Sequence, residues 1–248
     1  MDRKNMWLIE LSGDQADIEE LKKLAPHCEC EIAPAHDGRE YLSGRRFEDL
    51  SSAEEVSATA IKVLTLLNGI ARVGWSQFRS VQVAGVSQMR PDGTKAAFVR
   101  AHFAIRPRVS VNAVVIRADG TVEQVIAPDL GSARAKQIIA DPRLCEIAKA
   151  IAGEITWQRL RVAVEKFGAL ITGKAAKGSW PNALVRYGYA TPDEVGRFKA
   201  NIEDPRLSGL NAVHGVPSSS APRGAKMTER QGLEFIVRLL NIYLDRQP

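Results

Sequence analysis

The chain has 248 residues, of which 45% are hydrophobic and 25% charged, and it carries a net charge of +5. That is the make-up of a globular protein of one large or two modest domains. No run of eighteen apolar residues occurs, and the N-terminus reaches Glu10 after only four consecutive apolar residues, so neither a membrane span nor a secretory leader is expected. Three cysteines, an odd number, argue against a disulfide framework and for a reducing cytoplasm.

Residues 7–11 suit a first strand, and Ile18, Leu21 and Leu24 give a following helix its apolar face. Residues 29–33 and 39–42 flank the tight turn Asp37-Gly38. Ser52 and Glu55 form a capping box that opens a long helix to about residue 71. Val56, Ala60, Val63, Leu64, Leu67 and Ile70 are its apolar stripe. Two near-identical turns, Arg-Pro-Asp-Gly-Thr at 90–94 and Arg-Ala-Asp-Gly-Thr at 117–121, punctuate β-rich runs at 81–89, 96–105, 109–116 and 122–126. Asp-Gly supplies the positive backbone angles of a two-residue hairpin, so these runs predict a four-stranded antiparallel meander, broken or edged at Pro107.

From about residue 128 the pattern becomes helical. Asp-Pro-Arg-Leu occurs at 141–144 and again at 204–207, with Asp suited to the N-cap and Pro to the first helical position. Helices are predicted over 157–171, from the capping box Thr191–Glu194, and from Thr228–Gln231, the last burying Leu233, Ile236, Val237, Leu240 and Leu244. The fold class expected is α+β: an antiparallel-sheet-plus-helix domain over 1–128 and a basic, all-helical domain over 129–248. The first holds 16 Lys/Arg against 17 Asp/Glu (−1) and the second 18 against 12 (+6). Such asymmetry marks either a surface for an acidic partner or an ordinary solvated helical face.

Few motifs carry chemistry. Residues 168–175 match Gly-x4-Gly-Lys, yet Ala175 stands where a magnesium-binding hydroxyl belongs, and a helix runs into the match instead of a strand. His27, Cys28 and Cys30, with His36 nearby, have metal-ligand chemistry without the two separated pairs that structural zinc prefers, so no metal and no cofactor is expected. Serine-hydrolase elbow, zincin and kinase signatures do not occur. In the C-terminal segment, Asn211 and His214 lie three apart, on one face of a helix that Asp204 would cap and Gly215 would end. Arg206 lies eight residues before His214, a rise of roughly 12 Å. Residues 218–224, rich in Ser, Pro and Gly, are the most flexible-looking stretch.

Phe198-Lys199-Ala200-Asn201, Ser208-Gly209, His214-Gly215 and the Met227–Gln231 run together resemble a family of uncharacterised bacterial proteins over the whole chain, one that brings no activity with it. More distantly, the segment is similar to HEPN-like helical domains, many of them ribonucleases of toxin and antiphage systems that place a His four to six residues after an Arg. Seven residues separate Arg206 from His214 here, and Leu207 follows the Arg. The leading expectation is a cytoplasmic binding protein whose basic helical half contacts a protein or nucleic acid through Lys199, Asn201, Arg223 and Lys226, with no membrane partner; a homodimer is compatible with it. The alternative implied by the resemblance is a metal-independent endoribonuclease with His214 as acid/base, Arg206 on the phosphate and Asn211 in support.

Overall fold

In the computed structural model, residues 6–90, 94–98, 114–116, 122–124, 130–173, 179–204 and 226–247 are described. The fold is α+β, and the chain divides into two compact units. A sheet unit comprises Met1–Leu64 and Val81–Ala133; a helical unit comprises Thr65–Ser80 and Arg134–Pro248. The 65–80 stretch thus belongs to the helical unit, which a linear division at 128/129 does not provide for.

The sheet unit begins with β1 (Met6–Ser12) and α1 (Gln15–Leu24). Asp14 caps α1 by accepting from Ala16 N, and Ile18, Leu21 and Leu24 are buried, the apolar face expected from their spacing. A 3-10 turn, Ala25–Cys28, ends in Glu29, whose φ of 56° is left-handed. It leads to β2 (Cys30–Pro34) and β3 (Glu40–Gly44), joined across the Asp37-Gly38 turn with φ +73° at Gly38. After α2 (Ala53–Gly74) come β4 (Gln82–Met89) and β5 (Lys95–Phe98).

These strands form one antiparallel sheet in the order β2-β3-β1-β4-β5. Ile32, Leu42, Ile9, Val86 and Phe98 are partners in turn across all five strands. Residues directly opposite share a face, so this row is the spine of the sheet's apolar side. The first hairpin of the expected meander is therefore β4–β5, closed by Arg90 N donating to Thr94 O at 2.8 Å, but it extends the N-terminal sheet through β1. The later runs contribute β6 (Val114–Ile116) and β7 (Val122–Gln124), which pair only with each other among the described residues. Pro107 and His102 lie outside those residues.

The capping box of α2 is formed, with Glu55 N donating to Ser52 Oγ at 3.2 Å and Ser52 N donating to Glu55 Oε2 at 3.2 Å. All six residues of its apolar stripe are buried. By length and composition alone α2 could cross a membrane, and 61% of its most apolar stretch is buried inside the protein.

The helical unit takes the end of α2 and adds α3 (Leu130–Ala140, entering from the sheet unit), α4 (Pro142–Ile151), α5 (Trp157–Thr172), α6 (Trp180–Arg186), α7 (Pro192–Glu203) and α8 (Glu229–Asp245). Asp141, Thr156, Thr191 and Thr228 supply side-chain N-caps. Phe198 on α7 is fully buried, its ring 4.7 Å from Phe235 and 6.0 Å from both Trp157 and Trp180. Phe167 meets Tyr189 at 5.2 Å and Tyr243 at 6.1 Å, edge to face.

Backbones also approach closely within this unit. A Cβ on Gly69 would lie 2.1 Å from the Ala148 carbonyl oxygen, so α2 meets α4 there without a side chain between them. Three residues on, buried Arg72 donates to the carbonyls of Phe78, Ile151 and Gly153 and to Ser80 Oγ, while Ser80 donates to the Ala152 carbonyl. A fixed cation thereby closes the C-terminal end of α4, where the helix dipole favours positive charge.

Candidate partner-binding surface of the helical unit

Helix α7 presents most of the expected binding residues that are described. The Thr191–Glu194 box and Pro192 start it, and Val195, Phe198, Asn201 and Ile202 form its buried face. Lys199 is exposed, with its Nζ 3.9 Å from Glu203 Oε2. Lys226, also exposed, accepts from the Arg197 guanidinium through its carbonyl at 3.5 Å.

Asn201 does something else. Its side chain has no exposed surface; Nδ2 donates to the Arg197 carbonyl at 2.9 Å, and Oδ1 accepts from Met227 N at 2.8 Å. It lies three residues after Phe198 on the buried face of α7 and ties α7 to the residue before the α8 capping box. Asn201, expected from the sequence to contact a partner, takes a packing place in the structure. Asp204, expected to cap a new helix, is buried and closes α7 through its N–H to Ala200 O. Arg206, Asn211, His214 and Arg223 lie outside the described residues, so the Arg206–His214 convergence that ribonuclease chemistry needs falls outside them too.

Carboxylates accompany most described cations of the helical surface. Arg143 lies 2.7 Å from Asp141, Arg161 2.8 Å from Glu165, Arg238 2.6 Å from Glu194, Arg134 3.2 Å from Asp245 and Arg230 3.3 Å from Glu234. Lys149 and Lys166 share Glu146 at 2.9 and 3.3 Å. Arg246 instead donates to the Tyr187 and Gly188 carbonyls and covers the Tyr189 ring at 4.5 Å. Exposed pairs of this kind contribute about 0–1 kcal/mol each to stability, so their larger effect is to neutralise the helix faces.

The basic excess of the sequence lies in two other stretches. Lys174, Lys177, Arg206 and Arg223 fall in 174–178 and 205–225, and those two stretches contain no Asp or Glu. Removing these four from the 18 Lys/Arg of residues 129–248 leaves 14 against 12 Asp/Glu, an excess of +2 in place of +6.

Other sequence candidates take structural places. Gly168 is inside α5, where a Cβ would lie 2.6 Å from Trp180 Cβ, and Thr172 Oγ1 donates to the Gly168 carbonyl at 2.8 Å. Residues 168–172 are thus helix, not a phosphate loop; Lys174 and Ala175 lie outside the described residues. Cys28 and Cys30 are buried, Cys30 Sγ donates to the Cys28 carbonyl at 3.2 Å, and burial pushes the Cys30 thiol up to about 11. Among the described residues no group of three His, Cys, Asp or Glu could hold a metal ion. Cys145 is half-buried, with Sγ donating to the Ile138 carbonyl at 3.1 Å.

In the sheet unit, Lys95 Nζ donates to Tyr41 Oη at 2.6 Å and Tyr41 donates to Asp37 Oδ2 at 2.8 Å. That hydrogen bond from Tyr41 holds the Asp37 carboxyl below its usual value, while burial raises the Tyr41 phenol. Sequence reasoning missed this row and the Arg72 cap, because each is completed by residues far along the chain, Lys95 in the one and the carbonyls of Ile151 and Gly153 in the other. No family model, curated protein or solved structure matches the chain.

Proposed function

We propose that the chain is a binding protein whose helical unit contacts an anionic partner through the cations of 174–178 and 205–225, with nucleic acid the partner that fits this chemistry best. One observation carries the reading: the described helix faces are close to neutral by pairing, whereas Lys174, Lys177, Arg206 and Arg223 have no acidic neighbours within their segments. Exposed Lys199 lies four residues before the end of α7, and exposed Lys226 directly follows the second segment, ahead of α8. Phosphate neutralisation by lysine and arginine releases counterions and needs no base-stacking platform. That suits a unit whose described aromatic rings are largely spent on its core, as Phe198 and Phe167 are.

The test is fluorescence anisotropy with RNA and DNA oligonucleotides over a salt series. Affinity should fall steeply with salt, and alanine at the four cations should reduce the slope of log K against log salt by about 3–4. No binding at about 50 mM salt, or an unchanged slope in the variant, removes nucleic acid as the partner.

A further inference from the structure

His27 lies in the 3-10 turn Ala25–Cys28, and Ser132 in the first turn of α3; both belong to the sheet unit. His27 Nε2 and Ser132 Oγ are 2.8 Å apart although the residues are 105 positions apart in the chain. That distance is within the range for a nucleophile and its base. The turn that carries the imidazole is anchored: Ala25 and Cys28 within it are buried, and Glu29 turns the chain left-handed immediately afterwards. Both side chains are half-buried, so the pair keeps some access to solvent. Ser132 also sits at the N-terminal end of an 11-residue helix, where the dipole favours negative charge developing on a substrate oxygen.

We propose that Ser132 and His27 form an acyl-accepting dyad that reacts with small esters bearing good leaving groups. Ser132 Oγ bonds to the ester carbonyl carbon as its proton passes to His27 Nε2. The carbon–oxygen bond to the leaving group then breaks, and the proton on Nε2 goes to the departing oxygen. Water next attacks the acyl-serine with Nε2 as base, releasing the carboxylic acid and restoring the serine. Among the described residues no carboxylate pairs with His27. Loss of the orienting acid from a full triad costs on the order of 10^4 in kcat, so the substrate class is activated esters and not peptides, and acylation outruns deacylation.

The full-length protein is treated with p-nitrophenyl acetate and, separately, with a fluorophosphonate, and the adduct is located by intact mass and peptide mapping. One equivalent on Ser132 is expected from each reagent, with the labelling rate at least about tenfold lower in His27→Gln. An unmodified Ser132 in the wild-type protein overturns the proposal, as does wild-type labelling of a folded His27→Gln. The wild-type adduct is decisive by itself if the variant does not fold.

Discussion

Asn201 shows how one buried amide can hold an element junction. Its Oδ1 is the acceptor for Met227 N, and its Nδ2 returns to its own helix at Arg197. Replacement by Ala would leave a buried N–H without that acceptor, a loss of about 1–3 kcal/mol. Urea denaturation of Asn201→Ala should show the midpoint falling with m unchanged. A midpoint within error of wild type would mean that Met227 N finds another acceptor. Sequence alone, which put Asn201 beside Lys199 among expected contact residues, does not show which way its side chain faces. Its facing is set by Phe198 three residues earlier, which the aromatic cluster draws inward.

At the scale of elements, caps were the most legible feature. The boxes at Ser52–Glu55, Thr191–Glu194 and Thr228–Gln231 all form, since each needs only residues three apart. The β1–β4 pairing was not legible. Nothing in residues 82–89 specifies β1 as a partner, and the hairpin signal at 90–94 accounts only for β5. The His27–Ser132 contact was invisible for the same reason. Cap chemistry also sets an acid limit. Hydrogen bonds from Ser51 hold Glu55 below the ordinary carboxylate value of 4.5, and the Thr191 amide does the same for Glu194. A carboxylate lowered by folding adds stability that is fully present above its unfolded value and is lost as pH falls through the folded one. Thermal melts from about pH 7 to 3 should therefore be level above about 4.5 and decline below it. In Glu194→Gln the decline should be shallower, and an identical decline would show that this cap does not contribute.

At the scale of the whole molecule, the helical unit cannot be cut at the composition boundary. Residues 65–80 bring Leu67, Ile70, Val73 and Phe78 into it, all at most 2% exposed. At about 1.5–3 kcal/mol for each buried side chain, these four represent roughly 6–12 kcal/mol of gross burial, comparable to the whole stability of a typical domain. A 129–248 fragment should therefore melt without a cooperative transition, while the full chain melts with one. Cooperative unfolding of the fragment at the full-chain temperature would refute this.

The Arg72 cap has a consequence in time. Its acceptors at Ile151 and Gly153 are 79 and 81 residues further along the chain. At about 5–20 residues per second of synthesis, roughly 4–16 s pass before they exist. Through that interval Arg72 has only the nearby Phe78 carbonyl and Ser80 hydroxyl to bond, and α2 lacks the α4 backbone that Gly69 meets, while β1 precedes the stretch and β4 soon follows it. The newborn chain must keep this stretch from the wrong partners until α4 emerges to receive it.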